Sequence, residues 1–322
     1  MYLFASIDVG ANTLRLLIGK IENNRIIDIF YERKITRLGT GVNQTGKLQQ
    51  ENIETSLSVL REFSSVISRY NVKHVKAVAT SALREASNPD IFIERVFRET
   101  GILIEVIQGE KEADLALKGI ISSCSDPTSL KQPLFIVDMG GGSTEWILYR
   151  GKKTIERGSI PIGVIKLSES YIKSDPVSEG DIIKIKDKTI SFLEDIRNKI
   201  GQHLEKHTIF IGTAGTFTTI ASIDLGLEGY SREKIHLHKI SVERLHEMSR
   251  KLLSLSLQKR KKIMGLEPER ADLIIPGLVF TISIMEFLKF NELTVSDYGL
   301  LEGILFDIKE KFEKNISETG KP

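Results

Sequence analysis

Val137-Asp138-Met139-Gly140-Gly141-Gly142-Ser143-Thr144-Glu145 is the stretch whose reading decides the fold. An apolar β-type run, Leu134 to Val137, leads into it, and a second, Trp146 to Tyr149, leads out. A strand, an Asp, a glycine turn and a returning strand make a hairpin that offers backbone N–H groups to a phosphate. Glycine suits a turn that approaches an anion closely, because it carries no Cβ and reaches positive φ. The Asp beside the turn is placed to hold a divalent cation, directly or through water. The same unit opens the chain: Leu3 to Ile7, then Asp8-Val9-Gly10-Ala11-Asn12-Thr13, then Leu14 to Ile21. Two copies predict two related domains facing one phosphate-binding cleft.

Outward from these units the pattern alternates. A third β-type run, Ile26–Thr36, precedes a turn-rich stretch from Leu38 to Gly46. Gln50 to Tyr70 then places Ile53, Leu57, Leu60, Phe63 and Ile67 at helical spacing. Strand His74–Thr80, helix Asp90–Glu99, strand Ile102–Ile107 and helix Glu110–Ile121 follow, which predicts an α/β layered domain. Ser122 to Pro133 lacks periodicity and reads as the linker. After it the opening pattern restarts, with a third strand near Lys153–Ile160 and helices at Val164–Ile172 and Asp181–Ile200. Ser178 and Asp181 are spaced as a capping pair for the latter. Strand Thr208–Ile211 enters Gly212-Thr213-Ala214-Gly215-Thr216, and the remainder reads as mostly helical until Leu293–Val295. A last helix, Leu300 to Phe312, is expected to fray into a charged tail.

Composition narrows the class. The 322 residues are 41% hydrophobic and 27% charged, with net charge +2, as in globular proteins. So small a net charge does not indicate a nucleic-acid binder. Cys124, the one cysteine, forms no intrachain disulfide, which fits a reducing cytoplasm. Tyr2 to Val9 runs straight into the first motif, so no signal peptide is expected, and no apolar run is long enough to cross a bilayer. The six His are dispersed without metal-ligand spacing. The basic run Lys259-Arg260-Lys261-Lys262 could guide a polyanion, but reads better as a solvated helix face.

The ordered set of motifs resembles the exopolyphosphatase/guanosine-pentaphosphate phosphatase (Ppx/GppA) family over nearly the whole chain. The resemblance rests on Asp8 to Thr13, Arg37-Leu38-Gly39-Thr40-Gly41-Val42 with Thr45-Gly46, and Ala79-Thr80-Ser81-Ala82-Leu83-Arg84-Glu85-Ala86. It continues through Ile107 to Ala113, Asp138 to Glu145, Gly212 to Thr216, Arg270-Ala271-Asp272 and Ser296-Asp297-Tyr298-Gly299-Leu300-Leu301-Glu302-Gly303. It implies two ribonuclease-H-like domains of the actin/hexokinase/Hsp70 type around an interdomain cleft. The expected domains are residues 1–124 and 125–302, with the final helix, about 303–322, able to pack back on the first. It also implies a magnesium-dependent hydrolase of terminal phosphoryl groups, acting on polyphosphate, on guanosine pentaphosphate, or on both. Three departures stand out: Ala11 where Ser is usual, Leu301 where an Arg often precedes Glu-Gly, and Lys111 in place of an acidic neighbour of Glu112.

Phosphoanhydride hydrolysis needs a positioned water, a base and neutralisation of the phosphoryl oxygens. Glu112 fills the family's catalytic position as base; by itself it would read as a solvated first-turn Glu. Arg84 is the phosphate clamp, since guanidinium can meet two phosphoryl oxygens. Asp8, Asn12, Thr13 and Arg15 surround the first turn as phosphate-binding candidates, although Arg15 could equally face solvent. Gly140, Gly141, Gly142, Ser143 and Thr144 would cradle the transferred group. Gly212, Thr213 and Gly215 resemble a loop that contacts a nucleoside or other substrate. Asp8, Asp138 and Glu145 are the candidate ligands for Mg²⁺, with Mn²⁺ as the alternative; Mg²⁺ takes few carboxylates directly. The expected ligands are polyphosphate or guanosine penta- and tetraphosphate in the cytoplasm, with no nucleic acid or membrane partner and with a homodimer compatible. A nucleotide-dependent kinase of the same fold and a non-catalytic sensor of these anions remain alternatives, against which Glu112, Arg84 and the second turn count.

Overall fold

The computed structural model describes residues 2–23, 25–123 and 132–319. Most of the linker expected at Ser122–Pro133, together with Cys124, falls at 124–131 and lies outside the described residues, as do 320–322. The chain divides into two compact units, residues 1–127 with 298–322 and residues 128–297.

In the first unit β1 (Phe4–Val9), β2 (Thr13–Glu22) and β3 (Arg25–Ile35) form an antiparallel meander. β4 (His74–Ala79) runs parallel to β1, and β5 (Ile104–Val106) parallel to β4, giving the order β3-β2-β1-β4-β5. Every residue of β1 is buried, as expected of a central strand covered on both faces. Helix Gln50–Arg69 buries Ile53, Leu57, Leu60, Phe63 and Ile67, the stripe that its sequence spacing predicts. Helix Pro89–Thr100 starts with Pro at its first position and stops at Gly101, whose φ is 73°. The closing helix, Leu300–Thr319, runs well past Phe312 instead of fraying there. Lys309–Glu313 at 3.0 Å and Lys314–Glu318 at 3.8 Å supply i,i+4 support along that extension.

That closing helix seals the core. Leu300, Leu301, Ile304, Leu305 and Ile308 pack with Phe4, Leu17, Val78, Ile107 and Leu115. It meets helix Gly109–Ser122 at backbone distance. A Cβ on Gly303 would lie 1.8 Å from the Leu115 carbonyl oxygen, and one on Gly119 would lie 1.9 Å from that of Gly299. No side-chain rotation relieves either contact, so both positions exclude a Cβ. Glu302, buried in the first turn, accepts from the Gly299 N–H at 2.8 Å, which satisfies one of the helix's orphan donors.

The second unit repeats the plan. β6 (Leu134–Met139), β7 (Thr144–Arg150) and β8 (Lys153–Ile160) form the meander. β9 (Ile209–Thr213) is parallel to β6, and β11 (Glu292–Val295) parallel to β9. β10 (Lys239–Ser241) adds an antiparallel edge to β11, completing the order β10-β11-β9-β6-β7-β8. Three residues are too few to show a period, so β10 has no signature in the sequence. Helix Ile274–Leu288 is apolar nearly all round and buried, and it packs on Glu179–Ile200. Ser178 accepts from the Asp181 N–H at 3.2 Å, but the Asp181 carboxylate turns back to the N–H groups of Lys173 and Ser174, so only half of the capping pair forms. A three-strand meander continued by parallel strands, once in each unit, is the ribonuclease-H-like arrangement. The fold is α/β of the actin/hexokinase/Hsp70 type. Among the described residues no helix is long and apolar enough to cross a membrane.

Gly303→Ala is expected to lower stability by roughly 1–3 kcal/mol, the usual cost of overpacking. The midpoint of urea unfolding reads this, and an unchanged midpoint would remove the close helix approach as a constraint.

Candidate active site

Both hairpins close the same way. In the first, Gly10 N–H donates to the Thr13 carbonyl at 3.1 Å; in the second, Gly140 N–H donates to that of Ser143 at 3.0 Å. What lies behind each turn differs.

Behind the first turn runs Thr36 to Gly39. Thr36 and Arg37 N–H both donate to the Asn12 carbonyl at 3.0 Å, and Gly39 N–H to that of Ala11 at 2.7 Å. A Cβ on Gly39 would stand 2.7 Å from the Ala11 methyl, so the Leu38-Gly39 motif is fitted to residue 11. Asp8 and Arg15 are cross-strand partners. Arg15 donates to Asp8 Oδ2 from Nε at 2.8 Å and from Nη2 at 2.6 Å. The other carboxylate oxygen of Asp8 is buried without a hydrogen-bond partner, and so is Asn12 Oδ1. Two inward acceptors left unsatisfied are a defined request for a donor or a cation.

The end of β4 brings a second group together in the same unit. Ile107 N–H donates to the Ala79 carbonyl at 3.0 Å, and helix Ser81–Glu85 carries Arg84. Arg84 Nη1 donates to the Ile107 carbonyl at 2.8 Å and to Glu112 Oε2 at 3.2 Å. Glu112 sits in the first turn of Gly109–Ser122 and is only 6% exposed, whereas its neighbours Glu110 and Lys111 face solvent. A solvated dipole-stabilising Glu would not be sequestered in this way.

In the second unit a helix N-terminus backs the glycine turn. Val164 N–H donates to the Gly140 carbonyl at 3.1 Å, and Ile165 N–H to that of Gly141 at 2.9 Å. A Cβ on Gly163 would lie 2.4 Å from the Gly141 carbonyl. Thr144 spends its hydroxyl proton on the Ile162 carbonyl at 2.7 Å, and Thr216 on that of Met139 at 3.2 Å. Both side chains therefore brace the turn. Where Asp8 faces Arg15 across its hairpin, Asp138 faces Glu145, and both carboxylates are buried. Ser159 Oγ donates to Glu145 Oε1 at 2.7 Å.

β9 lies beside β6, with Thr213 opposite Asp138. Ala214, at the start of helix Ala214–Asp224, has φ 70°, a costly value for a residue with a Cβ and one often kept at functional loops. Arg270 is buried, pairs with Glu267 at 2.8 Å, and lays its guanidinium over Gly215, where a Cβ would come within 2.5 Å of Nη1. Sequence reasoning assigned Arg270 and Gly163 no role. The Arg270-Ala271-Asp272 motif was a signal for the first, and a Gly between strand and helix was the only trace of the second. The basic run at 259–262 is not a uniformly solvated face: Arg260 is buried and donates to the Leu255 carbonyl at 3.2 Å, while its three Lys neighbours are exposed.

Comparison with known proteins converges. The model of the Ppx/GppA phosphatase family matches residues 17–312. A bifunctional 3-dehydroquinate synthase/phosphatase of Fusobacterium nucleatum is 34% identical, with 95% of this chain and 46% of that protein covered, so the chain spans about half its length. Exopolyphosphatase 2 of Mycobacterium tuberculosis is 29% identical over 94% of this chain and 98% of its own. The crystal structure of the Aquifex aeolicus Ppx/GppA family member superposes with a TM-score of 0.80 at 32% identity, covering 98% of this chain and 99% of that one.

Gly163→Ala is expected to push the helix start off the second turn, costing roughly 1–3 kcal/mol and loosening residues 140–142. Urea unfolding together with amide exchange of those glycines reads both effects. Wild-type values in both would show that the helix does not hold the turn.

Proposed function

Because this chain belongs to the Ppx/GppA phosphatase family, we propose that it hydrolyses terminal phosphoryl groups from inorganic polyphosphate, from guanosine pentaphosphate, or from both. The observation that carries this reading is the burial of Glu112 against Arg84 at 3.2 Å. Glu112 is the general base that takes a proton from the attacking water. Arg84 is the cation that meets the phosphoryl oxygens; a phosphate that draws its guanidinium over leaves the carboxylate to the water. Backbone N–H groups around Gly140, Gly141 and Gly142 cradle the transferred group, with Ser143 beside them and Thr144 holding the turn's shape. Asn12 and Thr13 serve the anion at the first turn, and Arg15 acts there through Asp8. Gly212, Thr213 and Gly215, with Arg270 over the last, form the substrate loop.

Each turn offers carboxylate oxygens of the kind that hold a hydrated divalent cation. Asp138 and Glu145 are buried carboxylates opposite each other on paired strands, the kind of oxygen ligand Mg²⁺ takes. Asp8 keeps one buried oxygen unsatisfied while Arg15 holds the other. Among the described residues no three His, Cys, Asp or Glu side chains gather as a cage. Mg²⁺ binds through one or two carboxylates plus water and substrate oxygens, and the chemistry it would supply is neutralisation of phosphoryl charge.

Glu112→Gln is expected to lower kcat by roughly 10²–10⁴-fold with little change in KM, measured as phosphate release from both substrates. Near-normal turnover would sink the assignment. Release without any hydroxylated acceptor separates a hydrolase from a kinase, and any turnover rules out a pure sensor.

Activity should vanish on chelation and return with Mg²⁺. Asp138→Asn keeps the turn but removes a charge, so its rate should saturate at higher Mg²⁺ than wild type. Coincident titration curves would take Asp138 out of the metal site.

A further inference from the structure

Along β4 from the Arg84 end, the first unit holds a second concentration of charge which none of these roles uses. Lys73, His74 and Lys76, at the start of β4, form one wall of an open groove of about 780 Å³. Ile308, Lys311 and Phe312, on the closing helix, form another. The volume falls within the range of small-molecule sites. His74 stands six positions before Thr80 along the strand, about 20 Å at ~3.3 Å per residue, and Lys76 stands four positions before it, about 13 Å.

Asp307 organises the cations. Its side chain is 9% exposed and accepts from Lys76 Nζ at 2.8 Å, with Lys311 Nζ at 3.3 Å and Lys111 Nζ at 3.9 Å. Burial favours the neutral acid, but Lys76 and Lys311 outweigh it and hold the carboxyl below its ordinary pKa. Burial likewise opposes the charge on Lys76, yet Asp307 and Glu105 outweigh it and raise its pKa. Lys73 is exposed, with no ion pair or hydrogen bond to another described residue. Three ammonium groups, Lys76, Lys111 and Lys311, thus gather around Asp307, Lys76 also pairs with Glu105, and Lys73 lines the same groove.

Bracing helix to sheet would need only Lys76 on Asp307. Of the surplus, Lys73 and Lys311 lie on the groove walls, and each ammonium has three N–H donors, more than its ion pairs use. His74 and Phe312, with ring centroids 4.5 Å apart, bring the strand wall and the helix wall of the groove into contact. Closely spaced point-charge donors suit an anion of dense, repeated charge better than a single carboxylate. Lys111 reaches the same Asp307 from outside the groove lining.

We propose that this groove is a second anion site, separate from Glu112 and Arg84, which takes a condensed-phosphate chain, either free or as the tail of a nucleotide. The proposal rests on the charge arrangement and does not require the hydrolase reading. The test is protection of individual lysines from acetylation, read by mass spectrometry on the full chain without divalent cation, with tripolyphosphate and ATP as probes.

Lys73 and Lys311 should both be protected. Lys73→Gln should raise the concentration that protects Lys311 about tenfold, equivalent to about 1.4 kcal/mol. Arg84→Gln should leave that concentration unchanged. Equal potency of the two probes identifies the inorganic chain as sufficient; a tenfold advantage for ATP that Phe312→Leu abolishes identifies a nucleotide. Three outcomes would overturn the site: no protection at Lys73 and Lys311, the same concentration dependence in Lys73→Gln, or loss of protection in Arg84→Gln.

Discussion

One backbone hydrogen bond, from a glycine N–H to the carbonyl three residues on, closes the hairpin turn of each unit. The strands that enter these turns, β1 and β6, are buried throughout, so the turn is where a central strand can offer polar backbone outward. Everything nearby is fitted to that backbone. Residues 36–39 pin the carbonyls of the first turn, and the start of helix Val164–Tyr171 pins those of the second. With the carbonyls committed, the surface left to an anion is biased towards N–H donors.

The two turns share geometry and differ in charge. Across the first hairpin an Asp meets an Arg, which neutralises it locally and leaves one oxygen unsatisfied. Across the second, two buried carboxylates face each other. A duplicated framework has therefore diverged at one cross-strand position, residue 15 against residue 145. That position sets whether the Asp of the turn faces a cation or a second carboxylate across the hairpin.

Glycines act at two further places where backbones nearly touch. Gly119 and Gly303 let the closing helix lie against Gly109–Ser122, the helix that carries Glu112. The position of the buried carboxylate is thereby tied to a helix from the far end of the chain. Asp307, one turn further along that closing helix, gathers the lysine cluster. A single element anchors the core, the Glu112 helix and the charged groove.

The sequence by itself determined the hairpins, their order, the α/β class and the amphipathic helix at Gln50–Arg69, because each is written in local spacing. It also placed both Asp turns in hairpins, and its motifs singled out Glu112 and Arg84 as candidates. Only the tertiary structure decided that Arg15 serves Asp8, that Arg84 touches Glu112, that Arg270 covers Gly215 and that Gly163 abuts Gly141. The same holds for β10, for the buried Arg260 and for the helix that continues to Thr319. These features depend on which side chains meet after the sheet has formed. Spacing along the chain sets the direction of a side chain, but its partner is set by packing between segments far apart in sequence.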